Sequence, residues 1–168
     1  LRGFPVNPVR SIKISISKQQ LILFGEEDLI KQYSISTAKN GSGERKNSEC
    51  TPRGEHIIAE KIGQGAKENS VFAGRIETNE LYNSKLRDFH PRRDWILTRI
   101  LWLSGTEEGK NKGGDVDSHD RYIYIHGSPE DIEMGRPGSR GCIRMRNSDV
   151  IELFNLVNVG TRVTISES

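Results

Sequence analysis

The chain has 168 residues, with 25 Lys and Arg against 23 Asp and Glu, so its formal net charge is +2. At about 100 to 200 residues per domain, this length leaves room for one domain, spanning 1–168. The even charge balance excludes a nucleic-acid-binding surface of the usual basic kind. No apolar run approaches the roughly 18 residues that cross a bilayer, so we expect no membrane span in this chain.

The first third of the chain shows the two-residue periodicity of half-buried strands. Ile12, Ile14 and Ile16 alternate with polar residues, which predicts a strand. Two further strands are predicted over 20–24 and 29–36, and the short intervening segments favour a β-meander. The polar stretch that follows, 37–54, is predicted to be a long loop or an extended hairpin.

The rest of the chain continues the β pattern and adds one convincing helix. Ser148 is a good N-cap residue, and apolar residues recur at helical spacing from there to about Asn158. The segments 63–94 and 105–120 alternate glycine and charge, and we interpret 63–120 as an insertion-rich region with both segments at the surface. Enrichment in β-branched residues predicts four more strands, at 56–62, 96–103, 122–126 and 162–165. The predicted fold class is therefore mainly β, with one or two short helices.

One stretch, from Tyr122 to Met145, concentrates residues with chemical potential. A predicted strand ends at His126, a loop rich in Gly and Pro follows, and Cys142 comes directly after Gly141. A catalytic cysteine needs a base such as histidine to remove its proton near neutral pH. Glycine before the nucleophile lets backbone N–H groups approach a substrate carbonyl closely, as an oxyanion hole requires.

These residues resemble the YkuD family of L,D-transpeptidases, cysteine enzymes that remodel bacterial peptidoglycan. The resemblance rests on the HG pair at 126–127 and the SxGC pattern at 139–142, followed by an apolar residue and Arg. TPRG at 51–54 and the closing helix with VGTRVTI extend it over nearly the whole chain. The resemblance implies a β-sandwich or curled-sheet domain. One departure is Arg140, where most members carry His, and it bears on substrate preference.

The resemblance also implies roles for individual residues. Cys142 would be the nucleophile and His126 the general base, oriented by the backbone carbonyl of Gly127. Ser139 matches the family's Ser or Thr position and would shape the turn that presents the nucleophile.

The oxyanion donors would be backbone N–H groups around Arg140, Gly141 and Cys142. No metal and no cofactor is implied.

The implied reaction is acyl transfer. The thiolate attacks the carbonyl between the third residue, a diamino acid, and the terminal D-alanine of a peptidoglycan stem peptide, and an amine on a second stem resolves the thioester. The substrate implies that the enzyme acts in the periplasm or cell wall. We expect a monomer, with a role in cell shape. The family also implies acylation by carbapenems.

Four arginines follow Met134 with no acidic residue before Ser148. We expect their positive potential to favour the thiolate and to hold stem carboxylates through paired hydrogen bonds, chiefly at Arg144 and secondarily at Arg140. The other two members of the group are Arg136 and Arg146.

Three other interpretations stay open on the sequence. An L,D-carboxypeptidase would pass the same acyl group to water, and a catalytically silent domain would only bind peptidoglycan. A zinc enzyme would use His119, His126 and Cys142. Cys50 is predicted to be a free thiol without chemistry.

Overall fold

The computed structural model describes residues 8–168, and in this part of the chain the architecture is mainly β with two short helices. No helix within it is long and apolar enough to cross a membrane. In chain order the elements are β1 (Ser11–Ser15), β2 (Gln20–Phe24), β3 (Leu29–Ser34), β4 (Gly54–Ile62), β5 (Ser70–Ala73), β6 (Ile76–Leu81), α1 (Ser84–Phe89), β7 (Ile96–Gly105), β8 (Tyr124–Ser128), β9 (Ile143–Arg146), α2 (Asn147–Leu156) and β10 (Arg162–Ser166).

The strands form one curled sheet in the order β3-β2-β1-β10-β4-β7-β5-β6, and β8 also pairs with β7 and carries β9 on its other side. The predicted meander β1–β2–β3 is confirmed by antiparallel pairing of its neighbours. The third strand ends at Ser34 rather than Ser36, because Ser36 exchanges backbone hydrogen bonds of 2.9 and 2.8 Å with Arg144.

The apolar side chains of the meander meet those of the later strands in one large core. Ile12 and Ile14 of β1, Ile125 of β8 and Ile143 of β9 are all buried in this cluster. Since alternate residues of a strand point to opposite faces, the residues beside Ile125 and Ile143 face away from this core. That other face carries the candidate site.

The late helix is confirmed, but its predicted ends are wrong. It begins at Asn147, directly after Arg146, and Ser148 is exposed rather than capping. The Asn147 side chain is buried instead and accepts a 2.8 Å hydrogen bond from the hydroxyl of Thr98. The helix ends at Leu156, because Val157 already has an extended backbone.

The assignment of 63–94 to the surface needs correction. Strand β5 pairs with β7, and Val71 and Phe72 are buried. Between 105 and 120, Ser118 is buried as well and lies 2.8 Å from Nε2 of His56. Four-residue strands such as β5 are too short to show a periodicity, so the sequence did not distinguish this strand from a loop.

Candidate active site

The parallel pair β8 and β9 brings His126 and Cys142 onto one face of the sheet. Ile125 lies opposite Ile143 in the register, so Cys142 lies beside Tyr124. Tyr124 is two residues before His126 and therefore on the same face of the sheet. The Tyr124 N–H donates to the Cys142 sulfur at 3.3 Å. Tyr124 and Cys142, which are 18 positions apart in the chain, are thereby held together by strand pairing rather than by a flexible loop.

His126 is buried and its ring is fixed by one backbone contact. Its Nδ1 lies 2.6 Å from the carbonyl oxygen of Gly127, the contact that the family resemblance implies. A carbonyl only accepts hydrogen bonds, so Nδ1 carries the proton and Nε2 keeps its lone pair. Burial lowers the pKa of His126 below its ordinary value, against the opposing effect of Asp94. The neutral ring with a free Nε2 is the form that acts as a base.

Cys142 is half-buried, and its surroundings favour the thiol over the thiolate. Burial raises the pKa of Cys142 to about 12, although the Tyr124 N–H and the cations Arg144 and Arg121 act in the other direction. The sulfur lies 3.3 Å from the Tyr122 carbonyl, which accepts its hydrogen. Arg144 thus favours the thiolate, as the sequence predicts, but the loss of solvation outweighs the nearby charges.

The turn before Cys142 is held by a serine and a glycine. The Ser139 hydroxyl donates to the Cys142 carbonyl at 2.5 Å and accepts from the Gly141 N–H at 3.2 Å. Gly141 has φ +131°, and a Cβ there would lie 3.2 Å from the Cys50 carbonyl oxygen. The Gly141 carbonyl accepts a 2.9 Å hydrogen bond from Thr51 of the TPRG segment. These contacts fix the backbone that presents the sulfur.

The four arginines of the sequence prediction separate into two groups. Arg136 pairs with Glu133 at 3.2 Å and Arg146 with Asp149 at 3.9 Å, and neither contributes to the electrostatics of Cys142. The structure brings only the other two, Arg140 and Arg144, to the clefts around the site.

Arg144 is held by internal partners. Its guanidinium donates to the Gly138 carbonyl at 3.1 Å and lies 3.4 Å from the Asp94 carboxylate.

Sequence reasoning missed two charged residues of the site, Asp94 and Arg121. Both act on the Cys142 thiol electrostatically. The half-buried Arg121 guanidinium donates to the Cys50 carbonyl at 2.7 Å and to the Glu44 carbonyl at 3.1 Å. Nothing in the local sequence marks either residue, because their roles come from contacts with segments far away in the chain.

Two clefts lie near the candidate site, and one of them is lined by Cys142. The Cys142 cleft, of about 240 Å³, is lined by Lys46, Asn47, Glu49, Asp120, Arg121, Tyr122, Ile123, Arg140 and Cys142. The Trp95 cleft, of about 220 Å³, is lined by Tyr82, Arg87, Pro91, Arg93, Asp94, Trp95, Pro129, Asp131, Ile132, Arg140 and Arg144. The two clefts share Arg140 in their lining, and the Cys142 cleft gives access to the sulfur.

The zinc interpretation has no support in residues 8–168, where no three His, Cys, Asp or Glu side chains converge on one point. His119, one of its three ligands, stacks on the Trp102 ring with 3.9 Å between the ring centroids. Cys50 and Cys142 are both free thiols, as predicted.

A mainly β fold places a histidine and a cysteine on one face of two paired strands, and the sequence comparisons assign the family. The YkuD family, described as an L,D-transpeptidase catalytic domain, matches residues 9–165. The YkuD protein of Bacillus licheniformis is 52% identical over 155 residues, which are 92% of this chain and 64% of that protein. The chain belongs to the YkuD family of L,D-transpeptidase domains.

Solved structures show the same fold at low sequence identity. A cysteine-to-serine mutant of Enterococcus faecium L,D-transpeptidase superposes with a TM-score of 0.56 at 18% identity, over 94% of this chain and 50% of that one. L,D-transpeptidase 3 of Mycobacterium tuberculosis, in complex with a faropenem-derived adduct, gives a TM-score of 0.57 at 14% identity, over 95% of this chain and 61% of that one. The superpositions confirm the mainly β, YkuD-like fold. The chain spans between half and two thirds of the length of these relatives.

Proposed function

We propose that this chain is a peptidoglycan L,D-transpeptidase that uses Cys142 as its nucleophile and His126 as its general base. The observation that carries this proposal is the fixed ring of His126, with Nδ1 on the Gly127 carbonyl at 2.6 Å, on the strand next to Cys142. Membership of the YkuD family supplies the substrate class. The substrate is a stem peptide cut between its third residue, a diamino acid, and the terminal D-alanine.

The first half-reaction forms a thioester. Nε2 of His126 takes the thiol proton as the Cys142 sulfur attacks the carbonyl carbon of the third residue. The tetrahedral intermediate collapses when the carbon–nitrogen bond breaks, and the departing amine of D-alanine takes the proton from His126. Because burial raises the pKa of the Cys142 thiol, a base that takes its proton during the attack assists the reaction.

Backbone N–H groups of the turn would stabilise the negative charge on the carbonyl oxygen. The Gly141 N–H already donates to the Ser139 hydroxyl, which leaves those of Arg140 and Cys142 as the candidate donors. Such donors act most strongly where they are held in place before the reaction, and the contacts of Ser139 with both Gly141 and Cys142 provide that rigidity.

The second half-reaction consumes the thioester. An amine of a second stem attacks the same carbonyl, His126 takes a proton from that amine, and the thiol leaves and recovers the proton. The Cys142 cleft and the Trp95 cleft share Arg140, which supports an arrangement in which one stem remains bound while another enters. Water in place of the amine would give the carboxypeptidase outcome from the same intermediate. The substrate implies action in the periplasm or cell wall.

Mass spectrometry of products tests the function. Purified protein is incubated with tetrapeptide stems carrying a diamino acid at the third position, and we expect cross-linked dimers and free D-alanine. Tripeptides without dimers would assign the carboxypeptidase reaction. No change with any stem would leave the peptidoglycan-binding interpretation.

Acylation by a carbapenem tests the nucleophile. Intact-protein mass spectrometry should show one adduct, mapped to Cys142 and absent from Cys142→Ala. His126→Ala should acylate about 10² to 10⁴ times more slowly, the usual contribution of a general base. An adduct on Cys50, or a His126→Ala rate within about threefold of the wild type, would contradict these assignments.

A further inference from the structure

Most cations of the Trp95 cleft are already neutralised by acidic side chains of the protein. Three of its four arginines form ion pairs, at nitrogen–oxygen distances of 3.0 Å for Arg87 with Asp131, 3.3 Å for Arg93 with Glu80 and 3.4 Å for Arg144 with Asp94. These arginines can accept a substrate anion only by giving up an internal partner.

Arg140 differs from the other three. Its side chain is exposed and forms no ion pair with any group of residues 8–168. One guanidinium nitrogen donates to the Arg92 carbonyl at 3.2 Å, a neutral acceptor that leaves the positive charge uncompensated. The remaining donors of the planar fork are free to bind a carboxylate in two parallel hydrogen bonds.

The position of this guanidinium connects it with the candidate nucleophile. Arg140 lines both clefts, and in one of them it shares the lining with Cys142. A substrate that occupies the Cys142 cleft therefore meets both the sulfur and the uncompensated charge of Arg140.

We propose that Arg140 binds the free carboxylate of the amino acid that leaves, and so selects donor stems that end one residue beyond the scissile bond. The inference rests on the proposed transpeptidase function. In such a stem, a single Cα separates the carboxylate from the nitrogen of the bond that breaks, so both groups lie in the cleft that Arg140 and Cys142 line together. Arg140 is then a specificity-determining residue, and Arg144 is not.

Two other cations of the Cys142 cleft are weaker candidates. Arg121 uses its guanidinium to bind the carbonyl oxygens of Gly43, Glu44 and Cys50. Lys46 offers a single ammonium group, which lacks the planar fork that pairs with a carboxylate.

The test compares two donor peptides that differ at one group: a tetrapeptide with a free terminal carboxylate, and the same peptide with that carboxylate amidated. We measure kcat/KM for thioester formation from release of the leaving residue. The wild type should prefer the free acid by about tenfold or more, whereas Arg140→Gln should lose the preference and match the wild type on the amide. Arg140→Lys should retain part of the preference, since it keeps the charge without the fork.

Arg136→Gln is the matched control. It removes one arginine from the same loop, lies outside both clefts and should keep the full preference. Equal impairment of Arg140→Gln on both peptides would assign Arg140 to the turn instead and overturn the proposal. A preference lost in Lys46→Gln but kept in Arg140→Gln would also overturn it.

The outcomes separate this inference from the function on which it rests. A wild type that acts equally on both peptides has the function but refutes the role of Arg140. A wild type inactive on both refutes the transpeptidase function, and the role of Arg140 falls with it.

Discussion

Arg144 and Asp94 form an ion pair of 3.4 Å beside the candidate nucleophile, with side chains only 16% and 29% exposed. The second guanidinium nitrogen donates to the Gly138 carbonyl, in the loop that leads to Cys142. Because one internal carboxylate and one carbonyl already use the fork, Arg144 acts as a link between β9, the loop and Asp94. This differs from the sequence prediction, in which Arg144 chiefly holds a substrate carboxylate.

Arg144→Lys should therefore impair free-acid and amidated tetrapeptides equally. Lysine keeps the charge but cannot contact both partners, so the turn before Cys142 loosens and kcat/KM should fall by about tenfold on each substrate. Arg146→Lys, in the same strand but exposed and 3.9 Å from its partner, is the control and should stay near the wild type. A loss confined to the free acid would return Arg144 to carboxylate binding.

The pH dependence of acylation should follow His126 at low pH. Burial lowers the pKa of His126 from its usual value near 6.5, so the neutral base persists somewhat below that pH and is lost as the pH falls through the lowered pKa. The acylation rate should be flat from about pH 6.5 upward and decline only in more acidic solution. Stopped-flow measurement of carbapenem acylation in the Cys50→Ser protein checks this.

The Cys50→Ser protein should show no Cys142 thiolate at neutral pH. Burial raises the pKa of Cys142 to about 12, so ultraviolet thiolate absorbance should be absent at pH 8 and grow only in strongly alkaline solution. The double variant Cys50→Ser, Cys142→Ala supplies the baseline, because both proteins then lack the Cys50 thiol. A thiolate signal at pH 7 that vanishes in His126→Ala would indicate a resting ion pair and contradict the concerted proton transfer.

The sequence could predict Cys142 and His126 as the reacting residues because their signals are local. HG and SRGC are short motifs, and strands β8 and β9 beside them hold the register that pairs them. By contrast, Asp94 and Arg121 act through contacts with distant segments, and no local pattern encodes those. The misplaced start of the last helix has the same origin, because the partner of Asn147, Thr98, lies 49 positions earlier.

Gly141→Ala should lose activity because a side chain there crowds the turn before Cys142, and Gly135→Ala is the control for backbone strain alone. At φ +131° an alanine is strained, and its Cβ would lie 3.2 Å from the Cys50 carbonyl oxygen, so the turn must move. Displacing the backbone donors should lower the acylation rate by about 10² to 10³. Gly135→Ala, at φ +91° with open space around it, carries similar backbone strain without the crowding.

Both glycine variants should lose about 1 to 3 kcal/mol of unfolding free energy from the backbone strain. Only Gly141→Ala should lose acylation. Thermal unfolding and carbapenem acylation, measured on the same samples, separate the two effects. Equal activity in the two variants would show that the Gly141 turn tolerates a side chain.

Arg121→Lys should loosen the loop 43–50, which forms one wall of the Cys142 cleft. The Arg121 fork binds the carbonyls of Glu44 and Cys50 at 3.1 and 2.7 Å, and the segment between them supplies Lys46, Asn47 and Glu49 to the cleft. Hydrogen bonds to a charged group contribute about 1.5 to 3 kcal/mol each, and one ammonium cannot replace both ends of the fork. Hydrogen–deuterium exchange should rise across 43–50, and acylation should slow by about tenfold as the Cys50 carbonyl leaves its place against Gly141.

Arg53→Lys is the matched control for Arg121→Lys. Arg53 also pairs within this loop, 2.9 Å from Glu44, but its side chain is 43% exposed and such pairs contribute about 0 to 1 kcal/mol. Exchange that rises equally in both variants would mean that loss of any arginine from this loop mobilises it. Unchanged exchange in Arg121→Lys would show that strand pairing and the Thr51 contact with Gly141 are enough to hold the wall.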